Sequence, residues 1–413
     1  MIVRMTYFYL DNNASTPIGP TVIQSMGKWN EIPGNPHAGH FLGGVAREAI
    51  EKAREQVLSA FGLSGNNEWK CIFTSGASES NNYVIKGFVF NQIRRRKNGI
   101  IRLAASKVEH ASVDKALHYL VDLFGPEKVS VDFLPVDQDG IVDITRAMSI
   151  LSEGPVVKLV TCIHTVAETG AVQPIPEIAS AIKEMNPETL IHCDASQSVG
   201  KLDAGTLHAM ASHVDFVTVA AHKFGGPKGI GALLMKEKYM SEIDPLIHGA
   251  GQEMGHRGGT ENVAYIVGLG TACQIATTSN QVHGSFTPSE LLWETISSEL
   301  SRNEGIEFRR NSTAPQRSPL TLNMSIVGMN GPKLVAELGY ENAHEIKVCF
   351  SAGSACHSRG CPNPSKVLAA MGLEQKFSTS GIRLSISWST RREDIITAGK
   401  IIASHIAKSL LEH

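Results

Sequence analysis

The chain has 413 residues, of which 42% are hydrophobic, and its 38 basic residues nearly balance its 40 acidic ones. This length exceeds one domain of typical size and allows a large buried core. The balanced charge argues against a nucleic-acid partner, and the short run Arg94–Arg96 fits a solvated helix end. Nothing approaches the ~20 apolar residues of a membrane span, and no signal-peptide pattern is present. We therefore expect a soluble, cytoplasmic protein without a membrane partner.

The cysteine pattern indicates a reducing compartment. The seven cysteines are an odd number without paired spacing, so a disulfide framework is not expected. Four of them lie in apolar runs, where a free cysteine behaves as a small hydrophobe; these are Cys71, Cys162, Cys193 and Cys349. We expect these four to be core residues, and we predict no metal site.

Short apolar runs alternate with longer helical stretches between Trp69 and Met235, which is the rhythm of β-α-β units. The predicted strands are Lys70–Thr74, Ile100–Ala105, Val129–Pro135, Val156–Ile163, Leu190–Cys193, Val214–Ala220 and Ile230–Met235. Such runs favour a buried, mostly parallel, seven-stranded sheet. Ligand-handling residues are expected where the strands end, at the carboxyl edge of the sheet.

The pattern changes after Gly270. A helix is predicted over Pro288–Arg302, followed by a Pro/Ser/Thr-rich loop over Asn311–Pro319. Two further strands are predicted, Lys347–Ser351 and Ile382–Ser387. The sequence therefore predicts an α/β protein with a large domain over 18–270. A small α+β domain is predicted to combine 1–17 with 271–413.

A lysine and an aspartate follow two of the predicted strands. Lys223 stands just after Ala220–His222 and before a glycine-rich stretch, where an amine can form a Schiff base with pyridoxal 5′-phosphate (PLP). Asp194 ends an apolar strand, where an unpaired charge is costly. The pyridinium nitrogen of PLP would neutralise that carboxylate. Taken alone, Lys223 fits a surface lysine better than a cofactor lysine. Asp194 taken alone fits a helix cap equally well.

Two further segments favour the same cofactor. The strand ending at Thr74 runs through Gly76, Ala77 and Ser78 into a Ser/Asn-rich helix start, which is typical of a phosphate site. His110 follows the Ile100–Ala105 strand and places an imidazole where it can stack on a ring and move protons near neutral pH. Neither segment is specific when it is considered alone.

Together these residues resemble the class V aminotransferases of PLP fold type I, and among them the cysteine desulfurases. The resemblance extends from Tyr9–Ala14 to the last predicted strand and helix. It implies that Lys223 is the Schiff-base lysine and that Asp194 pairs with the pyridine nitrogen. It also implies that Gln197 binds the phenolate oxygen of the cofactor and that His110 stacks on its ring.

The same resemblance assigns the phosphate site and the oligomeric state. Ser78 and His222 are similar to the phosphate ligands of the family, together with the backbone at Gly76 and Ala77. Thr260, in Gly258–Asn262, corresponds to the threonine that reaches the phosphate in the other subunit. A homodimer is therefore implied.

A third motif resembles the sulfur-handling loop of the first group of cysteine desulfurases. Cys356 lies in Phe350–Ser358, a small-residue loop that follows a strand, and its neighbour His357 favours the reactive thiolate. By this resemblance Cys356 becomes a persulfide, which an acceptor protein then receives. Arg383 on a late strand matches the residue that binds the substrate carboxylate, for which a planar guanidinium is suited. Asn35 is assigned to the substrate by the same resemblance; otherwise Arg383 would form a structural ion pair.

Two positions depart from the family pattern. The family has Asn-Asn-Glu where this chain has Val166-Ala167-Glu168, so Ala167 lacks an amide that contacts the cofactor and substrate. Ala220 replaces a common serine and removes one phosphate hydroxyl. Each lost bond costs ~1 kcal/mol. Cys361, five positions after Cys356 (361 − 356), fits a bystander, a resolving thiol or a second sulfur relay.

The predicted function is therefore PLP-dependent removal of sulfur from L-cysteine, which yields L-alanine and a Cys356 persulfide. Selenocysteine lyase is the nearest alternative, because Ala355–Ser358 and Gly259–Asn262 also resemble that branch. A catalytically weakened scaffold that binds sulfur-trafficking proteins is a second alternative. Transaminases and desulfhydrases of the same fold would not need Cys356.

Overall fold

The computed structural model describes residues 6–65, 67–96, 99–279, 287–341, 346–353 and 364–411. The strands are β1 (Thr6–Tyr9), β2 (Trp69–Thr74), β3 (Ile101–Ser106), β4 (Val129–Leu134), β5 (Val157–Ile163), β6 (Leu190–Asp194), β7 (Phe216–Ala220), β8 (Gly231–Lys236), β9 (Phe308–Arg310), β10 (Thr321–Ile326), β11 (Ile346–Cys349) and β12 (Gly381–Ser385). The helices are α1 (Pro20–Gly27), α2 (Phe41–Ser59), α3 (Ala77–Arg94), α4 (Ala111–Phe124), α5 (Ile144–Ser152), α6 (Ile175–Met185), α7 (Ala204–His213), α8 (Val263–Ser279), α9 (Pro288–Leu300), α10 (Gly331–Ala336), α11 (Lys366–Ala370), α12 (Gln375–Ser378) and α13 (Arg392–Leu411).

The seven predicted runs form one seven-stranded sheet in the order β2-β8-β7-β6-β5-β3-β4. Strand β8 pairs antiparallel with both of its neighbours, and all the other pairs are parallel. The predicted mostly parallel α/β sheet is therefore confirmed. Strands β2, β3, β5, β6 and β7 end at the same edge. Residues assigned to the cofactor site end or follow β2, β3, β6 and β7, and Ala167 follows β5.

Alternate residues of the sheet strands pack into two apolar clusters, one on each face. In β2, Cys71 and Phe73 join one cluster while Ile72 joins the other. Helices cover both faces, as expected for a parallel sheet. Burial on both faces makes the sheet a rigid support for its carboxyl edge. None of the described helices is long and apolar enough to cross a membrane.

A three-stranded antiparallel sheet, in the order β12-β10-β9, packs against α9 and α13 around a third apolar cluster. Strands β1 and β11 form a separate parallel pair. The predicted strands near 347 and 382 are both present, but β1, β9 and β10 were not predicted. The longest of these three is β10. Its polar residues Asn323 and Ser325 interrupt the apolar pattern, although both are buried and hydrogen-bonded to Asn311.

The cysteines differ from the prediction at one position. Cys71, Cys162 and Cys193 are buried as expected, and Cys273 is buried as well. We call these the four buried cysteines. Cys349 is only half-buried, because it lies in the two-stranded β1–β11 pair rather than in the large sheet. The expectation that Cys349 is a core residue was therefore wrong.

Candidate active site

Lys223 lies in a 3-10 turn directly after β7 and points at the N-terminal segment of the chain. Its Nζ donates to the backbone oxygens of Asn13 at 2.8 Å and Ala14 at 3.1 Å. Gln197 Nε2 donates to the same Asn13 oxygen at 2.9 Å. Asn13 therefore joins two predicted cofactor residues that are far apart in sequence.

Asp194 ends β6 and its side chain is almost completely buried. Its Oδ2 accepts from Asn81 Nδ2 at 2.8 Å, and its Oδ1 accepts from the Ser196 backbone N–H at 3.0 Å. Within the ranges that the structure describes, Asp194 forms no ion pair with a cationic side chain. A buried carboxylate held by neutral donors fits a site that receives a cationic ring nitrogen.

A chain of hydrogen bonds connects Asp194 to His110. Asn81 Nδ2 also donates to Ser112 Oγ at 2.9 Å, and Ser112 Oγ lies 2.8 Å from His110 Nδ1. His110 is the N-cap of α4, and its Nδ1 accepts the Ser112 backbone N–H at 3.1 Å. Because Nδ1 is an acceptor, the proton of the neutral ring is on Nε2. The sequence 110–112 thus fixes both the orientation and the tautomer of the imidazole.

The local electrostatics keep His110 and its neighbour Glu109 neutral. The His110 side chain reaches the surface, yet desolvation by the protein around the ring lowers its pKa; Asp194 opposes this effect and Lys223 adds to it. Glu109 is buried, and desolvation raises its pKa to about 8 even though it accepts the Ile163 N–H at 2.7 Å. Asp194 therefore remains beside two uncharged groups at neutral pH.

The first turn of α3 has the features of an anion site. Its N-cap Gly76 has φ 152° and ψ 176°, a conformation essentially restricted to glycine, and no side chain caps the helix. The first N–H groups are thus free of a side-chain cap, and the side chain of Ser78 is exposed beside them. Glu79 in the same turn is neutralised by Arg257 at 2.9 Å. His222 directly precedes Lys223 in the sequence. Desolvation lowers the pKa of the His222 imidazole to about 4.

Arg383 lies on β12 with only 4% of its side chain exposed. It donates to Asp11 Oδ1 at 2.9 Å and to Ser351 Oγ at 3.2 Å, and its other terminal nitrogen is 3.4 Å from the Ala167 backbone oxygen. Its Nε has no hydrogen-bond partner among the described residues. The ion pair considered from the sequence is therefore present, together with a spare buried donor.

Three predicted residues lie apart from this network. The side chains of Asn35 and Thr260 are exposed, and neither hydrogen-bonds to the network within the described ranges. Asn35 Oδ1 accepts from the His37 N–H at 2.9 Å, and His37 in turn pairs with Glu261 at 2.7 Å, so the two outlying segments meet. Cys356 lies outside the described residues, as do His357 and Cys361.

Several residues that the sequence did not single out organise the site. They are Asn13, Asn81, Lys201 and Arg257. Asn13 lies in the Tyr9–Ala14 segment and Asn81 in the Ser/Asn-rich start of α3, but neither received a role from the sequence, because an asparagine between other polar residues gives no sign of its partners. Lys201 follows Gln197 by four residues (201 − 197), and this spacing is the one signal that relates the two side chains.

The donor set fits PLP. Lys223 would hold it, Asp194 would face its ring nitrogen, and the start of α3 would bind its phosphate. The described residues contain no cluster of side chains able to hold a metal ion. The site therefore matches the cofactor predicted from the sequence.

Comparison with known proteins agrees with this geometry. The family described as "Aminotransferase class-V" matches residues 8–397. A protein named cysteine desulfurase IscS, from Dictyoglomus turgidum, is 33% identical over 94% of this chain and 91% of its own length. A solved NifS-like protein has a TM-score of 0.82 at 29% identity and covers 98% of this chain and 100% of its own. The structure titled "SspA in complex with cysteine" has a TM-score of 0.72 at 31% identity, covering 92% and 98%.

The chain therefore belongs to the class V aminotransferases, which are PLP-dependent enzymes of fold type I. Within that family its place is among the cysteine desulfurases, as the residues predicted. These relatives do not favour the selenocysteine lyase or scaffold alternatives.

Proposed function

We propose that this enzyme removes sulfur from L-cysteine and gives L-alanine and a persulfide on Cys356. The observation that carries the proposal is that two hydrogen-bond networks lie at one edge of the sheet. One joins Lys223 to Gln197 through Asn13. The other joins Asp194 to His110 through Asn81 and Ser112. The related structure that contains cysteine supports L-cysteine as the substrate. Bound PLP supplies the electron sink that weakens bonds at the substrate α-carbon.

Each residue of the network has a defined task in this proposal. Lys223 would hold the cofactor at rest and, once released, would take and return a proton. Backbone acceptors hold its amine in position. Asp194 would keep the ring nitrogen protonated, and Gln197 would donate to the phenolate oxygen. His110 would stack on the ring and exchange a proton at Nε2, the nitrogen left free by the Ser112 contacts.

Arg383 is proposed to bind the substrate carboxylate. Its guanidinium is already held by Asp11 and Ser351, so little side-chain entropy is lost when a carboxylate arrives. Its unpartnered Nε leaves a donor for the new ligand. Asn35 would contact the same substrate from an exposed segment, and its role also stays a prediction.

Ser351 is proposed to bring the Cys356 loop to the substrate. The backbones of Ser351 and Arg383 exchange two hydrogen bonds, of 3.2 Å and 2.7 Å. The chain therefore leaves β11 directly beside the arginine that would hold the substrate carboxylate. Sulfur transfer then balances as L-cysteine plus the Cys356 thiol giving L-alanine plus the Cys356 persulfide, with no external oxidant.

The assembly follows the family pattern in our proposal. Thr260 is exposed in the segment just before α8, which suits a residue that completes the phosphate site of a second subunit. We therefore propose a homodimer located in the cytoplasm, with an acceptor protein for the persulfide sulfur. The division into domains 18–270 and 1–17 with 271–413 also stays a prediction.

The experiment measures alanine released from L-cysteine by the PLP-loaded protein under a thiol reductant. Cys356→Ala is expected to abolish alanine release, while Cys361→Ala, a matched control five positions away (361 − 356), is expected to retain it. Absence of alanine from the parent protein would overturn the proposal. Ammonia and pyruvate in place of alanine would identify a desulfhydrase instead.

A further inference from the structure

Lys201 is a second lysine in the site, and only 4% of it is exposed. It lies in the turn after β6, four residues beyond Gln197 (201 − 197). Its Nζ donates to Asn13 Oδ1 at 2.7 Å and to Gln197 Oε1. Across the described residues it forms no ion pair with a carboxylate. A long, flexible side chain is thus buried to contact two neutral amide oxygens, at considerable desolvation cost.

An amine in this position determines which way both amides face. A side-chain amide has an oxygen end and an NH₂ end of nearly equal size, so its orientation depends on its hydrogen-bond partners. Lys201 donates to both oxygens, which forces the Nε2 of Gln197 to the opposite side. There Nε2 donates one N–H to the Asn13 backbone oxygen at 2.9 Å. The second N–H remains for the cofactor.

This orientation does not depend on the charge of Lys201. Desolvation lowers its pKa well below the ordinary value, and the charges of Lys223 and Arg383 lower it further. Asp11, the carboxylate nearest to Arg383, is already paired with that residue. Even a neutral amine carries two N–H groups, which equals the number of amide oxygens that Lys201 contacts.

The same contact reaches the resting position of Lys223. Asn13 uses its side-chain oxygen for Lys201 and its backbone oxygen for Lys223 and Gln197. Its Nδ2 is tied to the Ala167 backbone oxygen and to Thr321 Oγ1, each at 3.0 Å. Lys201 therefore closes a rigid arrangement around the segment on which Lys223 rests.

We propose that Lys201 is a positioning residue that turns the Gln197 amide so that its N–H faces the cofactor phenolate oxygen. The inference rests on the proposed role of Gln197. Because Ala167 supplies no side-chain amide, Gln197 carries that contact without help from position 167, and its orientation gains importance accordingly.

The test titrates the visible absorbance of the bound cofactor against pH. Loss of the oriented donor destabilises the phenolate, so Lys201→Met is expected to raise the apparent pKa of the absorbance change by about one unit. Gln197→Ala is expected to give a similar shift. The double variant is expected to shift no further than Gln197→Ala, because Lys201 acts through Gln197.

Lys347→Met is the matched control, since Lys347 is a similarly buried lysine. It lies in β11, and its Nζ donates to the Tyr340 backbone oxygen. The Lys347→Met variant is expected to titrate like the parent. An unshifted Lys201→Met, a shift that adds fully to that of Gln197→Ala, or an equal shift in Lys347→Met would overturn the inference. If circular dichroism shows that Lys201→Met does not fold, Lys201→Ala is titrated in its place and judged by the same criteria. A parent protein without a cofactor band or without alanine release would refute the proposed function. If the parent shows both, an unshifted Lys201→Met counts against the role of Lys201 alone.

Discussion

Glu253 forms a buried ion pair with Arg54 beside β2, and its replacement by glutamine tests how much this pair contributes to stability. Its carboxylate oxygens lie 2.9 Å and 3.2 Å from two nitrogens of Arg54, and one oxygen also accepts the Phe73 N–H at 2.8 Å. The side chains are 3% and 13% exposed. Glu253 and Met254 adopt left-handed conformations, with φ of 48° and 58°, in the segment that leads to Thr260.

Glu253→Gln is expected to lower the free energy of unfolding by about 3–5 kcal/mol, because it removes the buried counter-charge of the Arg54 guanidinium and leaves only the exposed Glu51 carboxylate beside it. Glutamine keeps the shape and one acceptor oxygen, so the change isolates the charge. Glu51→Gln is the matched control. Glu51 contacts the same arginine, but its side chain is 62% exposed, so the loss there should stay below about 1 kcal/mol.

The assay is urea denaturation of the PLP-loaded protein, followed by far-ultraviolet circular dichroism. The reasoning predicts a clear separation between the two variants. A Glu253→Gln protein within about 1 kcal/mol of the parent, or equal to Glu51→Gln, would refute the claim that the buried Arg54–Glu253 pair stabilises the fold.

Three further predictions concern pH and thiol chemistry. Partial burial raises the pKa of Glu290, but hydrogen bonds from Arg310 and Arg317 outweigh this effect and lower the pKa from 4.5 to about 2. The parent protein should therefore be more stable than Glu290→Gln above pH 4.5. Thermal melts should show this difference disappear as the pH falls toward 2. Because desolvation lowers the pKa of His110 below 6.5, the ring should stay neutral and keep its Nε2 proton available until the pH is below 6.5, so kcat/KM should not fall through protonation of His110 above that pH. His110→Ala should reduce kcat by at least ~100-fold. Burial raises the thiol pKa of the four buried cysteines, so iodoacetamide should label Cys356 well before them in peptide mass spectrometry; equal labelling would contradict the assigned burial.

The sequence predicted the large sheet well because most of its strands are apolar runs buried on both faces. The edge strand β4 is the exception, since most of its residues are only partly buried. Strand β10 was missed because Asn323 and Ser325 are buried polar residues, and a sequence pattern does not show that Asn311 satisfies them. Cys349 shows the reverse error. Its apolar run suggested a core position, but its strand pairs only with β1 and leaves the thiol half-buried.

The candidate site was predictable where a residue follows a strand of the sheet, as for Lys223, Asp194 and His110. It was not predictable where the role arises from contacts across the chain. Asn13 and Gln197 are 184 residues apart and meet only after folding. The pairing of Asp11 with Arg383 spans 372 residues in the same way.

The most direct test of the central claim is to locate the sulfur after L-cysteine is added. Trypsin cleaves after Arg359 and so separates Cys356 from Cys361 into different peptides. Mass spectrometry without reductant should find one extra sulfur atom on the Cys356 peptide, in step with alanine release. Extra sulfur only on the Cys361 peptide, or free sulfide with ammonia and pyruvate and no modified peptide, would contradict the account.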